Sequence, residues 1–261
     1  MPYVLPTRGD LLFFVCHWSL DAPLRVSLPP DANRSERDLL DKALRAWEAV
    51  VPGLHFDESE AGAAQIRLRF RDQGPEGART TTDCEVAPPF AGDPLRARLV
   101  SAQIELRRAE RDPWGKVVDL AANQLLGSAL HELGHALGLQ GHAEGGKTVM
   151  VREPFSVAKI AERLNDEKKP KPLSEPAMRA IYSLPTGTVI ERRALAHGAT
   201  AAVDAIAERA RAQGGERALV RVGDRSAVVR WGPGTDLAYY VKDPGKILAH
   251  DLDFADSISL P

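Results

Sequence analysis

No stretch of this 261-residue chain is apolar for the roughly 20 residues that cross a bilayer. The longest run near the start, Leu11 to Cys16, is short and ends at His17. A basic excess is missing too. Lys+Arg 34 against Asp+Glu 36 leaves a net charge of -2, which argues against nucleic acid as a partner. The N-terminus lacks a basic n-region, a long apolar core and an Ala-x-Ala cleavage site, so no signal peptide is visible. A natural start at Met1 implies the cytoplasm, and a trimmed chain leaves secretion equally open. Cysteine is scarce, so the expected fold does not depend on a disulfide framework, and Cys16 and Cys84 read as buried thiols. Aromatics are few at 6%, with Trp47 and Trp231 as expected core anchors and Trp114 bracing a later helix. The apolar share, 44%, is that of a folded protein and excludes general disorder. The length suits one large domain, alone or with a small appendage.

The periodicity places the elements. Leu40, Leu44, Trp47 and Val51 recur at helical spacing after Ser35, and Pro52-Gly53 stops that helix. Leu24 to Leu28 alternates as a strand. So do Ile66, Leu68 and Phe70, whose arginine neighbours Arg67, Arg69 and Arg71 read as a solvated face. A short edge strand is expected over Thr81 to Val86, and another strand over Val100 to Leu106. Val117 to Leu137 reads as one helix, apolar nearly all round, which belongs in a protein centre. A further helix, capped by Ser174, carries Met178, Ile181 and Tyr182 and ends at Leu184-Pro185. Pro185-Thr186-Gly187 is the best domain boundary. Beyond it lie an Ala-rich helix (Leu195 to Ala212) and strands at Ala218 to Val222, Ala227 to Trp231 and Leu237 to Val241.

The strongest chemical signal sits on the apolar helix: His131-Glu132-Leu133-Gly134-His135. Two histidines four apart lie one turn above each other, so both imidazoles reach one ion, and neutral imidazole suits zinc. Glu132 is then placed to take a proton rather than to bind the metal. A catalytic zinc usually has three protein ligands, and the chain offers His142 beyond Gly138, which can reverse the chain without a Cβ penalty. Gln140 and Glu153 are the other candidates for that third position. His17, His55, His197 and His250 stand alone and read as structural or surface residues.

His-Glu-x-x-His-x-x-Gly with a nearby His resembles the metzincin zinc peptidases, and Ala-Leu-His-Glu-Leu-Gly-His-Ala-Leu-Gly-Leu is most similar to the matrixin branch. Thr148-Val149-Met150 falls where the family's methionine turn lies. The chain departs from the pattern once, because the usual third-ligand position is Gly141 and His142 is one residue later.

The resemblance implies an α+β fold: a twisted mixed sheet with an active-site helix and a backing helix over residues 1–185. A small C-terminal α+β region of unknown role would occupy 186–261. It also implies Zn2+ on His131, His135 and His142, with Met150 and Gly138 as structural support. Glu132 would activate a zinc-bound water for peptide hydrolysis. The implied partner is an extended peptide or protein adding to the Thr81 to Val86 edge. The alternative is a zinc-stabilised binding or regulatory protein without turnover, or one whose residues 190–261 restrain it. A latency thiolate from Cys16 or Cys84 lacks the family's surrounding motif.

Overall fold

The structure is a computed structural model and describes residues 3–7, 10–71, 77–87, 95–111, 114–143, 146–166, 168–194, 217–222 and 225–230. Two compact units form, each from segments distant in sequence: Met1–Ser19, Thr81–Ser101 and Ile181–Pro261 in the first, Leu20–Thr80 and Ala102–Ala180 in the second. The expected helix over 195–212, the strand over 237–241, Trp231, His197 and His250 lie outside the described residues.

In the second unit, strands β3 (Leu24–Ser27), β4 (Phe56–Glu58), β5 (Ile66–Arg71) and the later part of β7 (Arg96–Arg107) run in the order β4-β3-β5-β7. All pair in parallel, with β5 and β7 registered from Ile66↔Ala102 to Arg71↔Arg107. Parallel strands need long crossovers, whose helices cover a face of the sheet. Leu24, Val26, Ile66, Leu68, Ile104 and Leu106 are accordingly buried. The first crossover is α1 (Arg34–Val50), which buries Leu40, Ala43, Leu44, Trp47 and Val50. Its cap, Asn33, lies two residues before the expected Ser35. Asn33 and Glu36 close a capping box, with Glu36 N–H donating to Asn33 Oδ1 at 3.0 Å and Asn33 N–H to Glu36 Oε2 at 2.8 Å. Arg67 and Arg69 are exposed as expected, but Arg69, Arg71 and Arg79 also pair with the buried Glu105. Burial alone would raise the Glu105 pKa, and the Arg69 and Arg79 guanidiniums hold it below the usual carboxylate value.

Residues 117–119 differ from expectation. They form β9 (Val117–Asp119), antiparallel to β8 (Ala109–Arg111), and the helix α2 (Ala122–Ala136) begins only after them. Trp114 is 88% exposed and so is not a brace. An unexpected helix, α3 (Pro154–Leu164), packs on α2, and α4 (Pro176–Tyr182) follows.

The first unit holds a sheet ordered β1-β2-β10, from β1 (Tyr3–Thr7), β2 (Asp10–Phe14) and β10 (Val189–Ala194). It also holds the hairpin of β11 (Arg217–Val222) and β12 (Arg225–Arg230). Strand β6 (Arg79–Ala87) is longer than expected and is no free edge. β12 pairs with it in parallel, from Ser226↔Thr81 to Arg230↔Glu85. Cys16 and Cys84 form a disulfide with Cα atoms 6.6 Å apart, both residues being buried. The free-thiol reading is therefore corrected. The two lie 68 residues apart, and no local pattern announces a pairing made by the fold.

Candidate metal centre

Helix α2 is held in the core by Leu125, Leu126, Ala129, Leu130 and Leu133, all buried. Ala121 has no side chain to cap it, so Gln124 Oε1 accepts from the Ala121 N–H at 2.8 Å instead. Trp47 of α1, fully buried, donates its indole N–H to the Leu130 carbonyl at 3.0 Å. One turn on, Gly134 lets Met150 come close. A Cβ there would collide with Met150 Sδ and press on the Trp47 ring.

The helix ends in a Schellman motif. Leu139 N–H donates to Gly134 O and Gly138 N–H to His135 O, both at 3.0 Å, with Gly138 at φ 115°. That reversal sets the Leu139 carbonyl beside His135, whose Nδ1 donates to it at 2.5 Å. His131 Nδ1 donates in the same way to Val149 O, at 2.5 Å. A carbonyl can only accept, so each Nδ1 carries the proton and each Nε2 of the neutral ring keeps a lone pair.

Those two Nε2 atoms are 3.2 Å apart, and His142 Nε2 lies 3.2 Å from His131 Nε2. The ligand atoms of all three histidines lie within 4.8 Å of one another. Nitrogens bound to a tetrahedral zinc at about 2.0–2.1 Å would be about 3.3–3.4 Å apart, so the donor set suits the ion. His142 differs behind its ring, where Arg152 Nε donates to Nδ1 at 3.0 Å. A metal on Nε2 needs the proton on Nδ1, so Arg152, which is exposed, must turn its donor away.

Glu132 is 5% exposed, and Thr80 Oγ1 lies 2.6 Å from its Oε2 and 3.0 Å from its carbonyl oxygen. The other ligand candidates are occupied. Gln140 donates its amide to His135 O at 3.3 Å. Glu153 caps α3 by accepting from Phe155 N–H at 2.9 Å and Ser156 N–H at 2.5 Å. His17 is stacked on Tyr182 in the first unit.

Glu175 escaped the sequence reading. Buried before α4, it accepts from Val149 N–H at 2.7 Å and from Thr148 Oγ1 at 2.6 Å. Thr148 Oγ1 in turn accepts from Met150 N–H at 3.0 Å. Burial raises the Glu175 pKa, although both hydrogen bonds oppose the rise. Ala143 N–H donates to Met150 O at 2.8 Å, tying the loop after His142 to the same turn. The signal for Glu175 is faint, a lone acid beside the helix-opening Pro176.

A family model for matrixin matches residues 25–167, more than half of the chain and the whole span from α1 to α3. The chain belongs to the matrixin family. This matrixin has the α+β architecture of a metzincin catalytic domain, and its histidine triad fits a metzincin zinc site. At family level it is a zinc metallopeptidase, a hydrolase acting on peptides or proteins. Comparison with curated proteins returns no match. Among the described residues no helix is long and apolar enough to cross a membrane.

Proposed function

We propose that this matrixin is a zinc-dependent endopeptidase in which His131, His135 and His142 hold the metal through Nε2 and Glu132 is the general base. The observation that carries the reading is the convergence of three Nε2 atoms, two of them fixed as lone-pair donors by backbone carbonyls. Zinc, when bound, supplies a Lewis acid that polarises the scissile carbonyl and lowers the pKa of water. Glu132 takes the proton of the attacking water and returns it to the leaving amine. Met150, packed against Gly134, braces the floor of the site, and Gly138 makes the reversal that carries the chain on to His142. Metal analysis of the purified protein, coupled to cleavage of a mixed peptide library, tests the assignment. Glu132→Gln should keep zinc and the fold but lose roughly 10²-fold or more of its turnover. A variant that cleaves at the parent rate would remove Glu132 from the mechanism.

A second reading, a restrained peptidase, rests on β12. An extended substrate would add to the edge of β6, and β12 pairs with that strand from Thr81 to Glu85. Strands β11 and β12 then occupy the edge that a substrate would use. Truncation after Ala194 removes β11 and β12 and leaves β10. Faster peptide cleavage by the shortened chain supports restraint, and an unchanged rate argues for the open enzyme.

A further inference from the structure

The carboxylate proposed as base is buried, and its position depends on more than its own helix. Thr80, second residue of β6, is 3% exposed and meets Glu132 twice, through Oε2 at 2.6 Å and through the carbonyl oxygen at 3.0 Å. A hydroxyl has one hydrogen, so it cannot donate fully to both acceptors at once. The shorter contact, to the carboxylate, has the length of a charge-assisted hydrogen bond. The longer one gives the same hydrogen a second acceptor nearby. We propose that Thr80 is a positioning residue for Glu132, holding Oε2 against β6 so that the other carboxylate oxygen is the one offered to the reacting water.

The inference rests on the peptidase reading for its catalytic meaning, but the contact itself does not. A free glutamate at a helix surface samples several rotamers, and each wrong one lengthens the path of the proton. Thr80 limits that choice from a neighbouring strand, at no cost in charge. The arrangement also outlasts proton transfer. Once Glu132 holds a proton on that other oxygen, Oε2 still accepts from the Thr80 hydroxyl.

Thr80→Val keeps the shape and removes the hydroxyl, whereas Thr80→Ser keeps the hydroxyl and loses a methyl. In the zinc-loaded protein, kcat of Thr80→Val should fall by roughly 10-fold or more with KM and zinc content unchanged, and Thr80→Ser should restore most of it. In a Glu132→Gln background, Thr80→Val should cost no further activity. A second readout avoids turnover altogether. In metal-free protein carrying 13C-labelled glutamate, the Glu132 carboxyl resonance is identified by its loss in Glu132→Gln. It should move in Thr80→Val and return in Thr80→Ser. Thr80→Ala, which introduces no new bulk, makes the same comparison if valine disturbs folding. A parent without peptidase activity would sink the functional reading and leave the resonance to decide the contact. A resonance unmoved by loss of the hydroxyl, or a Thr80→Val enzyme with parental kcat, would overturn the proposal.

Discussion

Nε2 of His131 lies 3.2 Å from Nε2 of His135 and of His142, but what stands behind the rings is not alike. His131 and His135 are held by carbonyls from the turn at Val149 and the reversal at Leu139. Such partners fix the tautomer and ring orientation of a metal ligand. His142 has Arg152 behind it, a donor that must move before the ring can ligate through Nε2. It is therefore the least prepared of the three, and also the one a residue beyond the family's usual spacing. Losing it should still be costly, because a two-histidine site holds zinc poorly. His142→Ala should surrender zinc to a mild chelator at concentrations the parent survives. Gln140→Ala should behave like the parent, since that amide is turned to the helix backbone. The reverse order of chelator sensitivity would remove His142 from the site.

At the scale of elements, the turn from Thr148 to Met150 depends on Glu175, which reaches it from the start of α4. Its raised pKa means that the folded protein holds this proton more tightly than the unfolded chain. Stability from protonated Glu175 is therefore full below the ordinary carboxylate range and declines as pH rises through it towards the folded value. Urea unfolding of the parent and of Glu175→Gln at stepped pH isolates the effect, because other titrating groups are common to both. The stability of the parent relative to the variant should fall with rising pH and then level off. A difference that rises instead would mean that the hydrogen bonds outweigh burial.

This turn was half legible in the sequence, since the motif named Met150 while its anchor lay 25 residues on. Helix α1 and strand β5 were plain because their apolar residues follow one period. Val117 and Val118 fit the helical pattern because Leu120, Ala121 and Ala122 follow them, and only pairing with β8 makes them a strand. Helix α3 is hidden in the sequence for the opposite reason. It buries only Val157, Ala158 and Ala161 and leaves Phe155 64% exposed, a stripe too thin to stand out.

For the whole chain, the disulfide between Cys16 and Cys84 is the feature local reading could not supply. It joins β6 to the segment just after β2, both within the first unit, and closes a loop of 68 residues. In the chain-entropy account, closing a loop of that size removes unfolded-state freedom worth about 4 kcal/mol. With both sulfurs bonded to each other, neither supplies a thiolate to the metal site. Bonds of this kind persist in oxidising compartments, a chemical bearing on location that the composition did not carry. Replacing both cysteines by serine should lower the stability in denaturant by several kcal/mol, up to about 4, with zinc still bound under native conditions. The loss should follow the bond rather than the sulfur atoms, so the parent treated with reductant should unfold at the midpoint of the double variant. Equal midpoints for oxidised parent and double variant would mean that packing alone, through the buried neighbours of Cys84, holds this part of the chain.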